Sequence, residues 1–134
     1  MSNIRPFKEH SPQVHPLAYV DPTSVVIGDV FLAQEVSIWP LVVLRGDQGA
    51  IYIDAQSNIQ DGSVAHATGG VSTVHVGKRV TVGHKVLLHG CRVEDDCLIG
   101  MGAILLDKCV IGSGSIVGAG SLVTSGMVIP AGSL

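Results

Sequence analysis

The sequence predicts an all-β domain, a parallel β-helix built from hexapeptide repeats. Three observations carry that expectation. An aliphatic residue recurs at every sixth position over most of the chain. Ile, Leu and Val number 42 and Gly 17 among 134 residues, against only five aromatics. No stretch has the Ala-Leu-Glu-Lys composition from which long amphipathic helices are made.

The order of elements follows from the period. Residues 1–19 are expected to form an N-terminal extension; Met1 to His10 carries Arg5, Lys8 and Glu9 without an apolar core and so lacks the make-up of a secretory signal. Residues 20–134 are expected to form the β-helix domain, with loops near 46–50 and 67–75. Every sixth residue from Val20 reads Val20, Val26, Leu32, Ile38 and Leu44. Every sixth from Val93 reads Val93, Ile99, Leu105, Ile111, Val117, Val123 and Ile129. Four positions after each of these, the residue is usually small or modest, as at Ser24, Cys97, Ala103, Cys109 and Ser115. One obligatory apolar residue per six, with a small or permissive residue between, suits short strands joined by tight turns. In this respect the chain resembles the left-handed β-helix proteins of the hexapeptide-repeat class, in which three hexads close one triangular coil. That resemblance implies about six coils.

Composition excludes several functions. Lys plus Arg number 8 and Asp plus Glu 11, giving a net charge of −3, and 14% of residues are charged against 46% hydrophobic. A nucleic-acid partner needs a surplus of basic residues, so none is expected. No membrane partner is expected either, because Gly, Asp or His interrupts every apolar run well short of the roughly 18 residues of a spanning helix. Cys91, Cys97 and Cys109 make an odd count without zinc-type pairing, which points to free thiols in a cytoplasmic protein.

The hexad register breaks only in the middle of the chain, and each break flanks unusual polar residues. Three extra residues intrude between Leu44 and Ile53, five before Val76, and one is missing before Val93. The neighbouring polar residues are Arg45, Asp47, Gln60, Asp61, His66, His84 and His89. With each hexad as one face of a triangle, Leu44, Ala65 and Leu88 begin hexads on the same face, so Arg45, His66 and His89 form one column. Adjacent coils lie about 4.8 Å apart, close enough for His66 and His89 to ligate one metal ion. Asp61 and His84 occupy a different face, with Gln60 beside them. His84 therefore reaches the pair only from a neighbouring subunit. Two histidines from one chain and one from the next close naturally around a three-fold axis, so a homotrimer with metal sites at its interfaces is expected. Three histidines with an open fourth position are the ligand set of catalytic zinc.

The residues at these positions carry a more specific resemblance. Arg45-Gly46-Asp47, Ser57-Asn58-Ile59-Gln60-Asp61-Gly62, His66, and Val82-Gly83-His84-Lys85 running to Leu88-His89-Gly90 resemble the gamma-class carbonic anhydrase family, over nearly all of the chain. The resemblance implies zinc, or alternatively ferrous iron or cobalt, on His66, His84 and His89. It implies Gln60 hydrogen-bonded to metal-bound hydroxide, and Arg45, Asp47 and Asp61 in a charged network between subunits. The reaction implied is attack of that hydroxide on carbon dioxide to give bicarbonate. The chain departs from the most active members in two places. Gln48 stands where they carry glutamate, and residues 67–74 hold no carboxylate, so no acidic group is in place to relay the proton. His75, read as an exposed loop residue, is the remaining titratable candidate. The family also continues into a helix along the β-helix, which these residues lack. Two other functions fit the scaffold: a thioesterase or acyl-transfer hydrolase, and a metal-binding trimeric scaffold without catalysis.

Overall fold

The computed structural model describes residues 2–134, and it is a parallel β-solenoid of about seven turns. The fold class agrees with the sequence reading, with one more turn than the six expected. The chain wraps three ladders of short parallel strands around a single apolar core.

The first ladder stacks Ile4–Arg5, the first half of Val25–Leu32, the first half of Val43–Ile53, Val64–His66, Leu87–His89, Ile104–Leu105 and Leu122–Val123. The second stacks Gln13–Val14, the later halves of Val25–Leu32 and Val43–Ile53, then Val74–Val76, Arg92–Val93, Val110–Ile111 and Val128–Ile129. The third stacks Tyr19–Val20, Ser37–Ile38, Asn58–Ile59, Thr81–Val82, Leu98–Ile99 and Ile116–Val117. Each rung shows one side chain inward. Val26, Leu44, Ala65, Leu88 and Leu105 succeed one another down the first face, all completely buried. These are the hexad leaders of the sequence pattern, so the period of six is the repeat of inward positions.

Buried serines at the corners tie coils together. The Ser63 hydroxyl donates to the Gly83 carbonyl at 2.8 Å and accepts the Val86 N–H at 3.0 Å, and Ser57 does the same one corner away with Gly77 and Val80. A small hydroxyl is the residue that fits in the core and satisfies groups of the next coil.

Two segments differ from the sequence reading. The N-terminal stretch lies against the solenoid as its first rungs: Ile4 pairs with Val26 and Val14 with Leu32. Residues 46–50 run extended within Val43–Ile53, rounding the corner between the first and second faces where the ladder register shifts. The backbones are close there: a Cβ on Gly28 would stand 2.5 Å from the Gly46 carbonyl oxygen, so glycine is required. Residues 67–73 lie outside the ladders, and Val74–Val76 is strand. Among the described residues no helix is long and apolar enough to cross a membrane.

Candidate metal centre

Five polar residues, Arg45, Asp47, His66, His89 and Asp107, meet on the first face and the turns beside it. His66 and His89 are partners in register, with Leu88 and Ala65 inward beneath them. Arg45 follows Leu44, which pairs with Ala65 in the adjoining rung. The Nδ1 atom of His66 lies 3.3 Å from Nε2 of His89. Behind His66, its Nε2 meets Oδ1 of Asp47 at 3.0 Å, and Nη1 of Arg45 donates to Oδ2 of Asp47 at 2.7 Å. Behind His89, its Nδ1 meets the two carboxylate oxygens of Asp107 at 3.2 and 3.3 Å. The side chains are 18% exposed at His66 and 27% at His89, and 13% and 28% at the aspartates.

Both carboxyls are held as carboxylates. Burial pushes Asp47 up, but hydrogen bonds from Arg45 and His66 and the guanidinium charge outweigh it and bring Asp47 below the ordinary carboxyl value. The hydroxyl of Ser72 lowers Asp107 against partial burial, helped by His89 and Thr68. An ionised carboxylate only accepts hydrogen bonds, so each histidine carries its N–H on the nitrogen facing its aspartate. When both rings are neutral this makes His66 the Nε2–H tautomer and His89 the Nδ1–H tautomer, with the lone pairs of the other two nitrogens, 3.3 Å apart, turned toward each other. Facing lone pairs repel unless a cation lies between them, either a shared proton or a metal ion. Two nitrogens at about 2.05 Å from one tetrahedral zinc stand about 3.3 Å apart, so the pair has the spacing of two ligands of one site.

A single chain supplies only half of such a site. Among the described residues no group of three or more His, Cys, Asp or Glu is placed to hold a metal ion. His84 lies on the turn after Thr81–Val82, on the third ladder, with Nδ1 3.4 Å from Oδ1 of Asp61 and its side chain 52% exposed. Gln60 is on that side too, its amide donating to Asn58 Oδ1 at 3.1 Å, beside a shallow depression of about 390 Å³ lined by Ser37, Trp39, Asn58, Gln60 and Asp61. The structure thus joins Arg45, Asp47, His66 and His89 in one cluster and Gln60, Asp61 and His84 in another.

An apolar column runs beside the histidine pair. Val25, Val43, Val64, Leu87, Ile104 and Leu122 are consecutive outward positions in register down the first face, with Ile104 and Leu122 exposed. On the third face Leu98 and Ile116 are exposed, and so is Met101, on the coil beside His84.

Two residues stand differently from the sequence reading. Asp107 was not singled out, although it follows His89 by 18 residues, the length of one coil, and so was readable from the same arithmetic. His75 is in strand Val74–Val76 on the second face, half-buried between Tyr52 and Arg92, not in an exposed loop. Its Nδ1 is buried without a hydrogen-bond partner. It lines a cavity of about 370 Å³ with Phe31, Tyr52, Asp54, Thr73 and Arg92, round the corner from the histidine pair.

Residues 90–125 match a family described as bacterial transferase hexapeptide (six repeats). The chain is 50% identical over 109 residues to protein YrdA of Escherichia coli, covering 77% of this chain and 59% of that protein. It is 45% identical over 95 residues to the carnitine operon protein CaiE of the same organism, covering 71% of this chain and 48% of that one. It therefore spans roughly half to three-fifths of the length of these two relatives. Among solved structures, the product of the BC4754 gene of Bacillus cereus superposes with a TM-score of 0.92 at 40% identity, over 96% of this chain and 74% of that one. A hexapeptide transferase family protein from Anaplasma phagocytophilum gives 0.90 at 38%, over 96% and 75%.

Proposed function

The chain belongs to the hexapeptide-repeat family of left-handed β-helix proteins, and from that premise we propose that it is a metal-dependent enzyme of gamma-type carbonic anhydrase chemistry, hydrating carbon dioxide to bicarbonate. The observation that carries the reading is the pair of imidazole nitrogens 3.3 Å apart, each ring backed by a carboxylate. A carboxylate behind each ligating imidazole is the usual support of a histidine metal site. A shared proton satisfies the same pair, but it leaves unexplained why a third histidine, also paired with a carboxylate, sits on the adjoining face.

In this proposal His66 and His89 of one chain and His84 of a neighbouring copy hold zinc, or alternatively ferrous iron or cobalt, in a homotrimer. The apolar column beside the pair supports the assembly, because a continuous line of aliphatic side chains on a sheet surface is stabilised by being covered. When bound, the metal supplies a Lewis acid that brings the pKa of a coordinated water to about 7. The chain's own residues do the rest. Asp47 and Asp107 keep the N–H groups on the outer nitrogens and leave the inner ones free. Arg45 balances the Asp47 charge, and Asp61 plays for His84 the part that Asp47 plays for His66. Gln60, whose amide offers two N–H donors and a carbonyl acceptor, hydrogen-bonds an oxygen of carbon dioxide or of the bicarbonate product. The aliphatic column keeps bulk water away from the substrate.

The match to a transferase family favours one second reading, acyl transfer or thioester hydrolysis on the same centre. Stopped-flow carbon dioxide hydration, with protein reconstituted in zinc or ferrous iron, tests the first reading beside a thioester panel. Metal-dependent hydration supports it. A metal-loaded protein that turns over thioesters and not carbon dioxide overturns it in favour of the second.

A further inference from the structure

We infer that Asp107 is a positioning residue that fixes the orientation and tautomer of His89 and couples the 67–73 loop to the metal ligand. The inference rests on the metal reading above and adds to it the coupling of the 67–73 loop through Asp107.

Asp107 is the meeting point of three donors from two parts of the chain, the 67–73 loop and the strand that ends at His89. Ser72 Oγ donates to its Oδ1 at 2.6 Å, Thr68 Oγ1 reaches Oδ1 and Oδ2 at 3.3 and 3.2 Å, and His89 Nδ1 reaches them at 3.2 and 3.3 Å. The loop is itself closed around this contact. Thr68 N–H donates to Ser72 Oγ at 3.0 Å, while the N–H groups of Val71 and Ser72 both donate to the Thr68 carbonyl at 3.0 Å. The Ser72 hydroxyl therefore accepts from the loop and donates to the carboxylate, so its proton has one direction to point.

Space is reserved for this carboxylate. Gly90, directly after His89, has φ +65°, and a Cβ there would collide with Oδ1 of Asp107 and Oγ of Ser72. The backbone of Gly90 meanwhile spans the coils on either side, its N–H donating to His66 O at 2.8 Å and its carbonyl accepting from Lys108 N–H at 2.7 Å. The ligand-bearing strands and the carboxylate are thus locked in one frame. The loop has no carboxylate of its own, yet through Asp107 its two hydroxyls act on a metal ligand that neither of them touches.

The test uses the full chain and two readouts. The first is the tautomer of His89 in metal-free protein, read from long-range ¹⁵N–¹H couplings. The second is affinity for cobalt(II), followed by its visible spectrum. The wild type is expected to show His89 with the proton on Nδ1. Asp107→Ala is expected to give mixed tautomers and to weaken cobalt binding about 10- to 100-fold. Asp107→Asn, whose side-chain oxygen still accepts from Nδ1–H, is expected to keep the tautomer and recover most of the affinity. Thr68→Val with Ser72→Ala leaves every ligand and Asp107 in place, and a several-fold loss of affinity is expected. A wild-type His89 whose Nδ1 carries no proton, or an Asp107→Ala protein with unchanged tautomer, overturns the inference; the first needs no variant to fold. A wild type that takes up no cobalt while its His89 tautomer still depends on Asp107 overturns the metal reading and upholds the orienting role.

Discussion

Gly90→Ala and Gly114→Ala form a matched pair that isolates the contact at Asp107. Both glycines have positive φ, +65° and +70°, so alanine at either site carries the backbone cost of the left-handed region, roughly 1–2 kcal/mol. At Gly114 a Cβ meets nothing within 4 Å, so that cost is the whole effect. At Gly90 the new methyl occupies the place of Asp107 Oδ1 and Ser72 Oγ, and the carboxylate has to move. That breaks the 2.6 Å hydrogen bond from Ser72. Hydrogen bonds to a charged group are worth about 1.5–3 kcal/mol, and with Asp107 28% exposed the lower end applies. Gly90→Ala is therefore expected to cost about 3 kcal/mol in total, close to twice its control. The assay is urea denaturation of metal-free protein, both variants at the same protein concentration, since any assembly makes stability concentration-dependent. Cobalt titration then separates them again, with affinity lost in Gly90→Ala and kept in Gly114→Ala. Equal destabilisation of the two variants, with equal cobalt affinity, refutes the account of the Asp107 frame.

Leu88→Ala, at a completely buried position under His89, is expected to cost about 2–5 kcal/mol by urea denaturation, the range for emptying a packed leucine site. Ile104→Asp places a carboxylate on the apolar column and is expected to leave the circular dichroism of the solenoid unchanged while light scattering shows smaller assemblies. Asp47 and Asp107 have folded values below the ordinary 3.8, so their contribution to stability is complete above that value and is lost as pH falls below it through the folded values. Asp47→Asn is accordingly expected to be less stable than wild type at neutral pH and to converge with it in acid, measured as denaturation midpoints from pH 7 to pH 2. If each site takes its ligands from two chains, as proposed, neither His84→Ala nor His66→Ala alone is expected to bind metal, but a refolded equal mixture is expected to recover about a quarter of the sites. An unmixed His84→Ala protein that binds as the wild type does removes the need for a neighbour.

Most of the fold was legible because one coil is three hexads, so the leaders Val26, Leu44, Ala65, Leu88 and Leu105 fall under one another by counting alone. The same count stacked His66 on His89, where the structure has them paired. The first turn was missed for a local reason. Val14 stands six residues before Val20 and continues the pattern, but the segment before it holds Lys8 at φ 52° in a tight turn closed by Phe7 and His10, which has no hexad period. Insertions defeated the reading elsewhere. The extra residues after Leu44 and Ala65 do not say whether the chain loops outward or rounds a corner in extended form, and the two insertions do one each. His75 precedes the in-register Val76 and so had to be an outward strand residue, a consequence hidden by its place at the end of the longer insertion. Asp107 is not marked by any motif around the loop, because in a solenoid the nearest neighbour of a residue such as His89 is often one coil away in sequence. Fold and column were written in the period; which side chains turn toward one another across coils was not.

In the proposed assembly two histidines of one chain and one of the next hold a metal ion together. Native mass spectrometry of protein purified without chelator tests it most directly, because one spectrum reports subunit number and bound metal. The account predicts three chains carrying up to three metal ions, with metal lost when the trimer is dissociated. Single chains that carry a metal ion, or trimers that carry none after incubation with zinc, ferrous iron and cobalt in turn, would contradict it.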